Sequence, residues 1–226
     1  MRLILVFIVS LVPGILWVWF FHRKDRFEKE PMRLIAKTFL YGSLAVIPAA
    51  LFESPFRGLI LEQTDLFTQL WLSFLVIGLG EEFFKLLAVI LAVYHSRELN
   101  EPVDAILYGA TVGIGFSVVE NMLYTATFGL EIAPIRALIA TLAHASFTGL
   151  LGVYIGRAKF SDHPVRNIAI GLGLAAGLHG LYDFILLSRI VSPLVAIALI
   201  GAIYYILQQQ IQVALDLSPF KHDDLE

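Results

Sequence analysis

The sequence predicts an all-α fold: a polytopic bundle of about seven transmembrane helices, with eight as the upper count. Composition is the first reason, because 58% of the 226 residues are hydrophobic and only 15% are charged. The second reason is that the apolar residues form segments of about twenty, the length a helix needs to cross a bilayer. The third is that ionisable residues interrupt four of these segments, as they do around a buried polar site. These observations exclude a soluble domain.

The apolar segments follow one another with short connections. The candidate spans are residues 3–21, 34–52, 70–93, 103–127, 135–156, 166–187 and 191–213. The first has no small-x-small cleavage site before its basic flank and is too long for a signal-peptide core, so we expect it to be retained. Only Ser188–Val191 separates the last two. Without a repeat or a linker, we expect one domain over residues 1–226, with its core at 24–187.

Basic residues are distributed unevenly between the two sides of this bundle. Eleven fall on the side of the first connection and four on the other. The first group is Arg23, Lys24, Arg26, Lys29, Arg33, Lys37, Arg97, Arg157, Lys159, Arg166 and Lys221, and the second is Arg2, Arg57, Arg136 and Arg189. The positive-inside rule then places the N-terminus outside and the C-terminus in the cytoplasm of a multi-pass protein of the cell membrane.

The third span carries Glu81, Glu82 and Lys85 in an otherwise apolar run. On a helix, Lys85 can reach both carboxylates, which lie three and four residues before it. The three residues could form an ion pair that tolerates its own burial. They could equally form a reaction centre in which one carboxylate is held ionised and its neighbour handles protons. This stretch alone does not separate the two interpretations.

Three further spans carry polar groups that lipid would not tolerate. They are Ser117, Glu120 and Asn121 in the fourth span, His144 in the fifth, and His179 and Asp183 in the sixth. Counted from the outer end of each span, the main ionisable groups lie about seven to eleven residues in, which is roughly 10–17 Å at the rise of an α-helix. We therefore expect one polar site that opens outward.

Each of these residues also has a purely structural interpretation. Glu120 and Asn121 could form a polar clasp between helices, His144 could be a hydrogen-bonded packing residue, and Asp183 could be a solvated helix end. The carboxylate of Asp183, four residues after His179, could instead orient the imidazole. Glutamate with histidine in a buried pocket suits the activation of water. The sequence lacks His-Glu-x-x-His and the complete rhomboid-type and presenilin-type motifs.

The motifs Glu81-Glu82-x-x-Lys85, His144 and His179-x-x-x-Asp183 resemble those of PrsW-type intramembrane proteases. These are relatives of the CAAX prenyl endopeptidases, whose pattern is Glu-Glu-x-x-x-Arg, Phe-x-x-x-His and His-x-x-x-Asn. The resemblance extends over residues 24–187. Further matches are Lys24-Asp25, Glu30-Pro31, Asp104, Tyr108-Gly109-Ala110, Phe116, Glu120-Asn121, Leu123-Tyr124, His179-Gly180 and Tyr182-Asp183.

The resemblance implies a glutamate-dependent endopeptidase that makes the first, extracytoplasmic cut in a membrane-anchored anti-sigma factor. Glu81 matches the glutamate that activates water and Glu82 its partner, while His144 and His179 match the two histidines, the second as an oxyanion donor. Lys85 stands one residue earlier than the superfamily's arginine, and Ala140 replaces its phenylalanine. Asp183 replaces an asparagine. Because an ionised aspartate cannot donate a hydrogen bond, we assign Asp183 to orienting His179.

The sequence also predicts the cofactor and the partners. We expect no cofactor, although two histidines and one or two glutamates leave a zinc site open. Lys85 would weaken a metal's binding, and the adjacent carboxylates of Glu81 and Glu82 should diverge. The expected partners are the lipid bilayer and a membrane-anchored protein substrate, with no nucleic acid. A proton-coupled transporter or channel, or a non-catalytic membrane regulator, remains an alternative.

Overall fold

A computed structural model describes residues 2–62 and 65–221. The predicted domain of residues 1–226 therefore has both of its terminal residues outside the described part. Within it the fold is all-α, as predicted, with seven long helices. They are α1 (Arg2–His22), α2 (Met32–Glu53), α3 (residues 66–94), α4 (Pro102–Phe128), α5 (Leu130–Lys159), α6 (Pro164–Ser188) and α7 (Leu194–Asp216).

Six of these helices are long and apolar enough to cross a membrane. The seventh, α3, is long enough to cross a membrane, but it is less apolar because it carries the charges of Glu81, Glu82 and Lys85. The helices extend a few residues beyond most of the predicted spans, because a helix continues past the end of its apolar stretch. A 3₁₀ turn at Ser54–Phe56 and a short helix at Arg57–Leu61 prolong α2.

The helix α4 is the central element of the bundle. In its most apolar window 89% of the residues are buried, against 17% for α1 and 28% for both α6 and α7. It packs against α1, α2 and α5, while α6 packs against α3 and α5. The outer helices present apolar side chains on their exposed faces, as a lipid-facing surface requires. Polar side chains that point inward from α3, α4, α5 and α6 therefore meet inside the bundle.

Glycines allow two helix contacts that place the polar side chains. A Cβ at Gly78 would lie 2.6 Å from the carbonyl oxygen of Ala176, so only glycine lets α3 approach α6 there. A Cβ at Gly109 would lie 2.5 Å from the carbonyl oxygen of Thr148, which brings α4 against α5. By contrast, Gly173 and Gly177 have no atom within 4 Å of such a Cβ. Their small-xxx-small spacing, which is typical of close helix packing, therefore marks no such contact here.

Two π-helical segments precede the polar side chains. In α3, Leu72–Gly78 is π-helical and ends three residues before Glu81. In α5, Arg136–Ala140 is π-helical and ends four residues before His144. A π turn holds an extra residue and so rotates the helix that follows it, and such turns are frequent at functional sites. Apolar periodicity did not reveal either segment.

Candidate active site

The side chain of Lys85 lies at the centre of the polar site. Its Nζ is 3.0 Å from Glu81 Oε2, 2.8 Å from Glu82 Oε1 and 2.7 Å from His144 Nδ1. An ammonium has three protons and no acceptor, so these three contacts use all of them. The Phe116 ring closes the remaining side, with its centroid 4.2 Å from Nζ. Lys85 is fully buried, and its positive charge is compensated on every side.

The two adjacent carboxylates converge, which corrects the expectation that Glu81 and Glu82 diverge around the helix. Both bind the same ammonium, because Lys85 follows them by four and three residues on one face of α3. Glu82 is further fixed by Thr148, whose Oγ1 donates to Oε2 at 3.0 Å, and by His179. Among the described residues, none donates a hydrogen bond to the second oxygen of Glu81. Glu81 is thus the carboxylate with an oxygen available for another molecule.

The contacts of His144 define its tautomer. Because Lys85 can only donate, His144 Nδ1 accepts from it. The other ring nitrogen, Nε2, then carries the proton and donates to Glu120 Oε2 at 3.0 Å. This assignment follows from the hydrogen-bond network. The imidazole of His144 therefore links the ammonium of α3 to a carboxylate of α4.

His179 lies between carboxylates of two helices. Its Nδ1 is 3.1 Å from Glu82 Oε1, and its Nε2 is 3.2 Å from Asp183 Oδ2 and 3.8 Å from Glu81 Oε2. The contact between His179 and Asp183 is close enough for an ion pair. It is not a hydrogen bond, and Asp183 Oδ2 has no hydrogen-bond partner. Phe147 stacks on the imidazole with ring centroids 4.9 Å apart. Asp183 is thus beside the histidine that it was predicted to orient.

Sequence reasoning missed Arg136, which was counted only as an outer basic residue. Its Nη2 donates to Glu120 Oε2 at 2.8 Å and its Nε to Asn121 Oδ1 at 2.9 Å. Asn121 in turn donates to Thr141 Oγ1 at 3.1 Å, and so does Ser117 at the same distance. The position of Glu120 within an apolar span was the signal that could have indicated a cationic partner, because a carboxylate in a membrane helix needs one.

Glu53, near the end of α2, is a second residue that sequence reasoning missed. Its Oε1 is buried and has no hydrogen-bond partner. The carboxyl group interacts electrostatically with Glu120, Asp183 and Lys85, so it belongs to the surroundings of the site. Its position at the boundary of an apolar segment gave no signal, because acidic residues at helix ends are usually solvated.

Helices long enough to span a membrane, converging on buried glutamates, histidines and a lysine, define a polytopic membrane protein with an ionisable centre. Residues 30–208 match the family model described as PrsW family intramembrane metalloprotease. The chain therefore belongs to the PrsW family. It is an intramembrane protease by family, and it acts on membrane proteins.

Curated relatives support this assignment. The chain is 34% identical over 183 residues to Protease PrsW of Geobacillus kaustophilus, covering 80% of this chain and 79% of the relative. It is 34% identical over 180 residues to Protease PrsW of Bacillus subtilis, covering 78% and 80%. The Protease PrsW of Shouchella clausii is 35% identical over 182 residues, covering 80% and 83%. No solved structure matches the chain.

The family description implies a metal, and the donor types here are suitable for one. Ligand atoms of Glu81, His144 and His179 lie within 4.8 Å of one another, and two histidines with one glutamate form a common catalytic zinc set. The ammonium of Lys85, however, already uses the Nδ1 lone pair of His144 and binds the Glu81 oxygen nearest to both histidines. The site in this arrangement does not fit a metal ion.

Proposed function

We propose that this chain is an endopeptidase that makes the first cut in a membrane-anchored protein, an anti-sigma factor or a protein of similar design, on its extracytoplasmic side. Family membership supports a protease over the transporter and regulator alternatives. The observation that carries the mechanism is the contrast between the two adjacent carboxylates. Glu82 is held by three other side chains, whereas Glu81 is held through Oε2 alone and its other oxygen accepts no hydrogen bond from a described residue.

In this mechanism Glu81 is the general base. Its carboxylate takes a proton from a water molecule whose oxygen attacks the carbonyl carbon of the scissile peptide. The C–N bond then breaks, and the carboxyl group of Glu81 returns the proton to the leaving amine. Glu82 takes no proton in either step, because its oxygens are occupied by Lys85, His179 and Thr148. Its role is to position the lysine and the histidine.

The oxyanion needs a donor, and His179 supplies it. When both of its ring nitrogens carry protons, Nδ1–H is taken by Glu82 and Nε2–H points toward the Glu81 side. Asp183, 3.2 Å from Nε2, orients that ring. His144 acts on the centre through Lys85, since its own N–H donates to Glu120. The buried ammonium adds positive charge where negative charge develops.

The orientation of the chain is part of this proposal. The excess of basic residues supports an extracytoplasmic N-terminus and a cytoplasmic C-terminus. The polar site then lies in the outer half of the bilayer, where it suits a cut outside the cytoplasm. Reporter fusions after Lys37 and Lys159 should indicate the cytoplasm, and fusions within residues 54–69 the exterior. The reverse pattern would exclude an extracytoplasmic cut.

The protein reconstituted in liposomes with membrane-anchored anti-sigma factors from its own genome provides the direct test. We expect cleavage by the wild type and loss of several orders of magnitude in rate for Glu81→Gln, which keeps the shape and removes the base. Glu131→Gln, at an exposed glutamate of α5, is the matched control. Wild-type turnover by a correctly inserted Glu81→Gln protein would eliminate Glu81 as the base.

A further inference from the structure

The site contains ligands for a cation, and the cation that they hold is Lys85. Glu81 Oε2, Glu82 Oε1 and His144 Nδ1 lie 2.7–3.0 Å from its Nζ. Its position is also restrained from the fourth side by the Phe116 ring. The ammonium is not exposed to solvent, and all three of its protons are used in these contacts. It therefore has no other set of partners within the bundle.

The groups around this ammonium are arranged like the ligands of a metal. His144 Nδ1 and His179 Nε2 each lie 3.8 Å from Glu81 Oε2. The other nitrogen of each ring faces a carboxylate, Glu120 for His144 at 3.0 Å and Glu82 for His179 at 3.1 Å. Histidines that bind metals usually donate their second N–H to a carboxylate in this way, which fixes the tautomer.

We propose that the Lys85 ammonium takes the place of a metal ion in this centre and keeps divalent metals out of it. The inference rests on the proposed active site and extends it. A metal ion and the ammonium would need the same lone pairs on His144 and Glu81, and two cations so close together repel each other strongly. The family is described as metalloproteases, so Lys85 sets this chain's centre apart from that description.

The inference has a direct consequence for a chain without this charge. In Lys85→Met the side chain of similar length is neutral, so the carboxylates and the imidazoles lose their cation. We expect the variant to bind one zinc ion at least tenfold more tightly than the wild type. We also expect zinc to raise the thermal stability of the variant, because it would hold together the groups that Lys85 held.

Zinc affinity is measured on metal-stripped, full-length protein in detergent, by competition with a fluorescent zinc indicator. Lys85→Arg retains the positive charge and should bind zinc as weakly as the wild type. Lys37→Met is the matched control, because Lys37 is also bonded to α3, through the Ala92 carbonyl oxygen at 2.7 Å, away from the polar site. Adding His144→Ala to Lys85→Met should abolish the gained site and assign it to these ligands.

Several outcomes would overturn the inference. Stoichiometric zinc in the wild type with Lys85 present is one, and equal zinc affinity of Lys85→Met and the wild type is another. If Lys85→Met does not fold even when zinc is supplied, a metal cannot replace the ammonium and the inference is also wrong. Lys85→Gln, which keeps a hydrogen-bond donor, repeats the comparison with a second neutral side chain.

The proteolytic assay separates this inference from the proposed function. Wild-type protein treated exhaustively with a zinc chelator should retain full activity, since Lys85 supplies the charge. Activity lost to the chelator and restored by zinc would refute the role of Lys85 while leaving the protease assignment intact. Active Glu81→Gln protein would instead refute the proposed base, and the zinc measurements on Lys85→Met would be unaffected.

Discussion

The two ends of α4 each carry a buried acidic cluster, and the two clusters are stabilised differently. At one end, Glu120 belongs to the cluster that we propose as the active site and call the active-site cluster. Its members are Glu81, Glu82, Lys85, Glu120, Arg136, His144, His179 and Asp183, and its fixed cations are Lys85 and Arg136. At the other end, Asp104 belongs to what we call the inner cluster. The members of the inner cluster are Asp25, Glu30, Glu101, Asp104 and Tyr108, all buried. Among the described residues, no lysine or arginine forms an ion pair with it.

Backbone N–H groups and one phenol take the place of cations in the inner cluster. Asp104 Oδ2 accepts from the backbone nitrogens of Asn100 at 2.9 Å and Glu101 at 2.8 Å. Asp25 Oδ2 accepts from the nitrogen of Glu30 at 2.8 Å. The Tyr108 hydroxyl donates to Glu30 Oε2. Of these contacts, the bond from Tyr108 to Glu30 ties the first connection, residues 23–31, to α4.

The comparison shows what each arrangement can do. Fixed cations keep the charges of the active-site cluster in place, as the proposed transfer of a proton from water to Glu81 requires. In the inner cluster no ion pair with a described lysine or arginine opposes the cost of burial, and burial raises the pKa of Glu30 to about 7. Burial likewise raises the pKa values of Asp25 and Glu101. We therefore expect Glu30 to release its proton at a higher pH than an ordinary glutamate does, whereas the active-site cluster depends on its ion pairs.

The largest effect should follow from breaking the active-site cluster at His179. We expect His179→Ala to lower the rate of cleavage by several orders of magnitude, because it removes the oxyanion donor and leaves Glu82 with one hydrogen bond fewer. Single-turnover cleavage of a reconstituted substrate measures it. His163→Ala, in the connection before α6, is the control and should cleave as the wild type does. A rate for His179→Ala within tenfold of the wild type would refute the proposed role.

An intermediate effect is expected at the edge of the active-site cluster. Glu120→Gln removes the charge that pairs with Arg136 and His144 but keeps an acceptor for both. We expect a partial loss of activity, on the order of tenfold, consistent with a group that acts through His144. Arg136→Met should lower thermal stability further, because it leaves Glu120 without its guanidinium. Complete inactivation by Glu120→Gln would mean that Glu120 contacts the reacting groups.

Much of this comparison could be predicted from the sequence, and the reasons for the rest are physical. Apolar length predicted seven helices because the bilayer sets that length. Charge within α3 predicted the active-site cluster, since ionisable residues in a membrane helix need partners. The direction in which a side chain points from its helix was harder to predict from the sequence. The shared contact of Glu81 and Glu82 with Lys85 depends on the helical face that follows a π segment.

Contacts between residues that are distant in sequence were also not predicted. Arg136 reaches Glu120 across 16 positions and two helices, and no local pattern encodes that pairing. The inner cluster was visible only as scattered residues, such as Glu30-Pro31 and Asp104, that matched the family motifs. Its acidic side chains lie in connections and helix ends, where solvation is the usual interpretation. They are buried because residues 23–31 fold back on α4, and the composition of the sequence does not predict that fold.

The smallest predicted effect concerns the pH dependence of the inner cluster. The pKa of Glu30 in the folded protein, about 7, is above its ordinary value of 4.5. The folded state therefore holds the proton more tightly. This contribution to stability is fully present below about pH 4.5 and is lost as the pH rises toward 7. The neighbouring groups are the Tyr108 hydroxyl, which donates to Glu30, the Asp104 carboxyl group, which shares a hydrogen bond with it, and the carboxylates of Asp25 and Glu98.

We expect the melting temperature of the wild type in detergent to fall by a few degrees between pH 5.5 and pH 8, and Glu30→Gln to reduce that fall. The reason is that glutamine keeps an acceptor for the Tyr108 hydroxyl and carries no charge to be buried. A change of 1 kcal/mol corresponds to about 2–4 °C for a chain of this size. Glu62→Gln, at an exposed glutamate, is the control and should keep the wild-type pH dependence. If Glu30→Gln also kept it, proton binding at Glu30 would not contribute to stability, and the inner cluster would differ from the active-site cluster in composition alone.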